Sequence, residues 1–191
     1  MPKRSVAFRY FWLLLLGGAV ACAGFFGVAR TQLAARPQAS CDCEVAFSPH
    51  GESLQLILQG IEKAQKSILV AAYAFTSKPI ATALLDAHKR GVSVRVVADS
   101  KANQRSYSAV TFLANQGVPV RTNGCYAIFH HKFMVIDGED VETGSFNYSA
   151  AAASRNAENV LLVRNVPELA RQYSAEWWRL WQEATPVEAR Y

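Results

Sequence analysis

The sequence predicts an α/β fold in which a mixed β-sheet is sandwiched between helices on both faces. Three observations lead there. Strand-like and helix-like segments alternate from Cys43 onward, the 191 residues are 51% hydrophobic and 18% charged, and near residue 132 the alternation gives way to two short strands around a turn-rich tetrapeptide. Such a composition is too apolar and too weakly charged for a disordered chain, and the length suits one domain with a tail.

The elements follow in order. Residues 44–48 read as a short strand, and 53–64 as a helix with Leu54, Ile57, Leu58 and Ile61 on one face. Residues 67–75 form a strongly apolar strand. Ile80, Leu84 and Ala87 mark the inner face of the next helix, which Gly91 is placed to end. Residues 92–98 are a strand, 106–116 a helix and 118–121 a short strand. Residues 132–136 and 141–143 make a hairpin across Asp137-Gly138-Glu139-Asp140, and 159–163 is a further strand. A last helix opens at Pro167, a favoured first helical position, and carries Leu169, Tyr173, Trp177, Leu180 and Trp181 as one stripe suited to core or dimer packing.

Ahead of this domain (43–191) lie two other stretches. Residues 31–42 contain a proline and no periodicity, and read as a linker. Residues 1–30 place Lys3, Arg4 and Arg9 before an uncharged apolar run, 10–29, long enough to span a bilayer. An uncleaved membrane anchor and a cleaved signal peptide both fit, with small-residue cleavage candidates at 19–21 and 21–23, and lipid-modified Cys22 fits less well. Each version exports the domain: periplasmic, secreted, or anchored outside the cytoplasm by membrane contact through 10–29. One of Cys41 and Cys43 bridged to Cys125 and a set of free thiols are equally compatible with export.

The formal net charge is +5, which resembles the footprint of a nucleic-acid binder, yet residues 1–30 hold four of those charges and no acid. The domain itself is near neutral. Any attraction for a polyanion has to be local.

Chemistry concentrates in one segment. His130, Lys132, Asp137, Ser145 and Asn147 sit on or at the ends of the hairpin strands, and the two-residue period of a strand projects His130 and Lys132 together while His131 points away. A lysine ammonium and an asparagine amide are donors for phosphoryl oxygens, and a histidine is a nucleophile or proton carrier at neutral pH. Glu158, beside the 159–163 strand, is placed as a carboxylate partner for the imidazole. A metal site from His130, His131 and Asp137 is disfavoured, because adjacent strand residues diverge and Lys132 repels a cation. A Ser145-His130-Asp137 triad is disfavoured because Gly144-Ser145-Phe146-Asn147 lacks the second glycine of a nucleophile elbow. Lys101 and Arg105, after the 92–98 strand, read equally as solvated surface and as contacts for a phosphate backbone.

His130-x-Lys132, four residues, Asp137, six residues, Gly144-Ser145-x-Asn147 resembles the complete HKD signature of the phospholipase D superfamily. Six residue types at fixed spacing arise by chance with a probability of about one in a million. The stretch 43–183 is also similar to the small secreted bacterial endonucleases of that superfamily, through Phe47-Ser48-Pro49, Ala72-Tyr73-Ala74-Phe75-Thr76, Arg121-Thr122, Val141-Glu142-Thr143 and Asn156-Ala157-Glu158-Asn159.

The resemblance implies a phospholipase D-like fold and a phosphodiester cleavage that needs neither metal nor cofactor. In it His130 forms a phosphohistidine, Lys132 and Asn147 hold phosphoryl oxygens, Ser145 supports them, Glu158 partners the nucleophile, and Asp137 is structural. A second motif would supply the leaving-group proton. This chain has one motif and no internal repeat, half of a two-motif enzyme, which implies a homodimer with both His130 residues at the twofold axis. Three functions compete: a nonspecific endonuclease cutting DNA and also RNA, a phospholipase D or cardiolipin hydrolase, and a non-catalytic membrane-tethered component that binds or takes up nucleic acid.

Overall fold

The computed structural model describes residues 42–104 and 108–190. Eight strands form one sheet: β1 (Asp42–Phe47), β2 (Ser67–Ala72), β3 (Ser93–Asp99), β4 (Val120–Asn123), β5 (Lys132–Ile136), β6 (Asp140–Gly144), β7 (Asn159–Arg164) and β8 (Thr185–Pro186). Their order is β1-β7-β6-β5-β2-β3-β4-β8. β2, β3 and β4 are parallel, joined through helices, and every other neighbouring pair is antiparallel. The helices are α1 (Glu52–Lys63), α2 (Lys78–Lys89), α3 (Ala109–Asn115), α4 (Ala150–Ser154) and α5 (Pro167–Glu183).

Strand alternation builds two cores. Ile68, Val70 and Ala72 of β2, with Met134 and Ile136 of β5, pack under α1, α2 and α3, while Leu69, Ala71, Phe133 and Val135 pack against α5. Trp177 fastens α5 to the sheet: it is fully buried, donates from Nε1 to the Val70 carbonyl at 2.9 Å, and stacks on Trp181. The stripe from Leu169 to Trp181 is therefore core. Ser77, Ser108 and Ser149 cap α2, α3 and α4 with their hydroxyls, satisfying amides that a helix start leaves open.

The structure corrects several boundaries. β1 starts at Asp42, inside the expected linker. β2 ends at Ala72, not at residue 75, because the chain leaves the sheet through Tyr73. α3 starts at Ala109 and β4 at Val120, each two or three residues later than expected, and α4 and β8 were not anticipated. The Cys43 to Cys125 bridge does not form: Cys43 is on the edge strand β1, and Cys125, past β4, is a free thiol that donates to the Glu183 carbonyl at 3.7 Å. Cys41 and the whole of residues 1–30 lie outside the described residues. No described helix is long and apolar enough to cross a membrane.

Register decides where the site is. The parallel strands β2, β3 and β4 end at one edge of the sheet, where ligands bind in open α/β folds. The pairings Ala72↔Lys132, Phe133↔Thr143, Gly144↔Val160 and Phe47↔Asn159 bring to that same edge the start of β5, the end of β6, the start of β7 and the end of β1.

Candidate active site

His130 lies in the exposed loop just before β5, with its ring 4.9 Å from that of Tyr73. Lys132, the first residue of β5, is only 7% exposed; its Nζ donates to the His130 carbonyl at 2.7 Å and sits 5.3 Å from the centre of the Tyr73 ring. Burial pulls the Lys132 ammonium below its ordinary range, and the charge of Glu158 works against that pull. His131 projects the other way, edge-on to Phe129 and Phe133 and 3.8 Å from Glu176 of α5. The two-residue period thus holds across the loop-strand junction.

Asn147 follows β6. Its Oδ1 is buried without a hydrogen-bond partner among the described residues, an arrangement that costs about 1 to 3 kcal/mol unless a ligand or water compensates. The Glu158 carboxylate is held from both sides, by Ser145 Oγ at 2.6 Å and Asn156 Nδ2 at 2.9 Å, and Ser145 Oγ also accepts from the Asn159 amide. No hydrogen bond or ion pair joins Glu158 to His130 of its own chain among the described residues. Within one chain, then, the expected carboxylate partner of His130 is Ser145's partner instead.

Gly144 permits this geometry. A Cβ there would stand 2.2 Å from the Asn159 carbonyl oxygen, a backbone atom with no freedom to retreat. Gly144→Ala is expected to part the end of β6 from the start of β7, lowering stability by about 2 kcal/mol and diester turnover at least tenfold, as read by thermal melting and a chromogenic diester assay.

Asp137 does not join the site. It lies past the opposite end of β5, about 20 Å away by strand rise, where its carboxylate accepts the amides of Gln65, Lys66 and Ser67 at 2.7 to 2.9 Å. Those bonds hold it below the ordinary carboxylate range against the opposing effect of burial. With Gly138 it forms the hairpin turn, both residues at positive φ. It fixes the register of β5 on β2 and so belongs to the fold and not to the chemistry. Lys101 is exposed in the turn after β3, on the site's edge; Arg105 lies outside the described residues.

Several contributors were not singled out by residue pattern. Tyr73 meets both His130 and Lys132 because it directly follows β2. Asn103 props it, donating from Nδ2 to the Tyr73 and Asp99 carbonyls and accepting the Phe75 amide. Buried Asp99 accepts the Phe129 amide and so ties the nucleophile loop to β3. Behind Asn147, the Tyr148 hydroxyl donates to fully buried Glu142 at 2.7 Å, and burial raises the Glu142 carboxyl to about 8. A lone acid inside an apolar strand was the available signal. No group of three or more His, Cys, Asp or Glu side chains among the described residues is arranged to hold a metal ion.

An exposed imidazole, a buried ammonium and an asparagine amide at one sheet edge suit a phosphoryl group, and comparison with known proteins agrees. Residues 57–181 match the family described as "Cardiolipin synthase, PLD-like domain". The chain belongs to the phospholipase D superfamily. It is a phosphodiester hydrolase of that superfamily. It is 31% identical over 188 residues to a mitochondrial cardiolipin hydrolase of Canis lupus familiaris, covering 98% of this chain and 70% of the relative. It is 37% identical over 132 residues to a phospholipase D of Rickettsia prowazekii, covering 69% and 64%. Among solved structures, Nuc from Salmonella typhimurium, a phospholipase D family member, superposes with a TM-score of 0.77 at 37% identity, covering 78% of this chain and 99% of Nuc.

Proposed function

We propose that this phospholipase D superfamily chain is a metal-independent phosphodiesterase that cleaves nucleic acid, DNA foremost, as a homodimer built around two His130 side chains. The observation that carries the reading is the convergence of exposed His130, buried Lys132 and the Asn147 amide on one edge of the sheet. A ring nitrogen of one His130 attacks phosphorus, the bond to the leaving oxygen breaks, and the second His130 gives that oxygen a proton. The second histidine, now neutral, takes a proton from water; the water oxygen attacks phosphorus, the N–P bond breaks, and a phosphomonoester leaves. Lys132 and Asn147 stabilise the phosphoryl oxygens as charge builds on them.

Two features support a second copy. Among the described residues Glu158 makes no hydrogen bond or ion pair to a histidine of its own chain, so its role as acidic partner of the nucleophile calls for a neighbour. Also, α5 lies over β2 to β6 and leaves the outer face of β1 and β7 with Val45, Phe47 and Leu161 exposed, the first two at 60% and 58%. An apolar sheet face beside the site suits burial against another copy.

Nucleic acid is supported by charge placement. Lys78, Lys101 and Arg155 are exposed on the site's edge and make no ion pair among the described residues, whereas Arg171 and Arg179 on α5 are neutralised by Glu168, Glu176 and Glu183. The combined Lys78→Ala, Lys101→Ala, Arg155→Ala variant is expected to lose at least tenfold in kcat/KM on DNA at low salt, with a shallower salt dependence, and to change far less on a small chromogenic diester. A phospholipid substrate is the second reading, favoured by Phe47 and Ile128 exposed at the same edge and by the names of the relatives. The positive start and apolar run of residues 1–30 support export of the domain, placing either substrate outside the cytoplasm.

The test is full-length protein in detergent with EDTA, offered plasmid DNA, RNA and cardiolipin-containing vesicles, with His130→Ala alongside. Plasmid nicking by the wild type alone is expected. Cleaved lipid beside intact plasmid would replace the substrate, and inactivation by EDTA would reject the metal-free mechanism.

A further inference from the structure

The nucleophile loop, residues 124–131, has no helix or strand of its own, and all of it except Phe129 is exposed. Such a segment should wander, yet it carries the residue whose position matters most. Asp99 holds it at Phe129, and the last two turns of α5 hold the rest. Arg179 reaches Glu176 with two donors, Nε at 2.9 Å and Nη2 at 2.6 Å, and from Nη1 it donates to the Tyr126 hydroxyl at 2.8 Å and to Glu183. The Tyr126 hydroxyl in turn donates to Glu183 at 2.7 Å, which also accepts from Asn123 Nδ2 at the end of β4. Asn123 Nδ2 further donates to the Leu180 carbonyl, and its Oδ1 accepts the Cys125 amide. At the loop's other end Glu176 faces His131, the neighbour of His130.

We propose that Arg179 and Tyr126 are positioning residues for the reaction: with Glu176 and Glu183 they form a clamp on α5 that fixes the loop carrying His130. This rests on His130 being the nucleophile, as proposed above. Neither residue touches the phosphoryl group; both act through the loop. Exposed ion pairs contribute little to stability, so a network of this density at the surface has more leverage on geometry than on folding. Displacements near 1 Å at a reacting atom cost rate steeply, about 100-fold in severe cases. The clamp is also a unit, since Arg179 and Tyr126 share both a direct bond and the Glu183 carboxylate, so removing either should release most of what removing both releases.

The experiment compares wild type, Arg179→Met, Tyr126→Phe and the double variant on bis(p-nitrophenyl) phosphate. It measures kcat per site competent to form covalent phospho-His130, with KM and melting temperature in parallel. The expected result is a kcat loss of at least fivefold in each single variant, a double variant no more than twofold below the worse single, KM within twofold, and melting within about 2 °C. Per-site kcat within twofold of wild type in both single variants would overturn the clamp, as would a loss explained by fewer competent sites. Wild-type turnover that persists in His130→Ala would instead overturn the proposed nucleophile, and the clamp with it.

Discussion

His130→Ala is expected to lower phosphodiester turnover by about 10⁴-fold or more while leaving the melting temperature within about 2 °C of wild type. The two halves of that result have separate causes. His130 is exposed beside the Tyr73 ring, so truncation opens no cavity. Turnover, in contrast, loses the proposed nucleophile, and in the proposed homodimer it also loses the acid that protonates the leaving oxygen. Subunit mixing separates these contributions. If one site needs both histidines, random mixtures of wild type and His130→Ala lose activity as the square of the wild-type fraction; a linear decline would mean that each chain works alone. Lys132→Ala is expected to cost less, since Asn147 still donates to the phosphoryl oxygens.

Glu142→Gln is expected to raise stability at alkaline pH. Burial lifts the Glu142 carboxyl from 4.5 to about 8, with the Tyr148 hydroxyl pulling weakly the other way. Because the folded value lies above the unfolded one, this group's contribution is fully present below pH 4.5 and is lost as pH rises toward 8. Across that window the loss amounts to as much as about 5 kcal/mol, at 1.36 kcal/mol per unit. Glutamine keeps an acceptor for the Tyr148 hydroxyl and cannot ionise. Wild-type melting temperature should therefore fall between pH 5 and 8 while that of Glu142→Gln stays nearly level, with the variant the more stable at pH 8.5. Parallel profiles for the two proteins would show that Glu142 does not titrate across this range.

The fold was legible wherever a local pattern had one solution. The apolar run of 67–75, the Asp137-Gly138 turn and the stripe on 167–183 each specify an element, and β-α alternation specifies the layers. What stayed hidden depends on pairing across the chain. That β1 closes on β7, and that β8 adds an edge beside β4, are matters of register between segments more than 60 residues apart. Helix α4, Ala150–Ser154, is too short to show a period. The site divides the same way. His130, Lys132, Ser145 and Asn147 were readable because motif spacing carries them, and Asp137's structural role followed from strand length. Tyr73, Lys78, Arg155 and the Glu142–Tyr148 pair were not, because each reaches the site through a strand end or buried contact that only the folded sheet creates. Glu158 was readable as a site residue, but its partner in the single chain is Ser145 and not His130.

The most direct measurement is capture of the covalent intermediate. Full-length protein in EDTA is mixed with a diester carrying labelled phosphorus, quenched in alkali during turnover, and digested for mass analysis. A label on His130, stable in base, labile in acid and absent from His130→Ala, is the predicted result. Sustained turnover with no label on His130 would contradict nucleophilic catalysis by this residue.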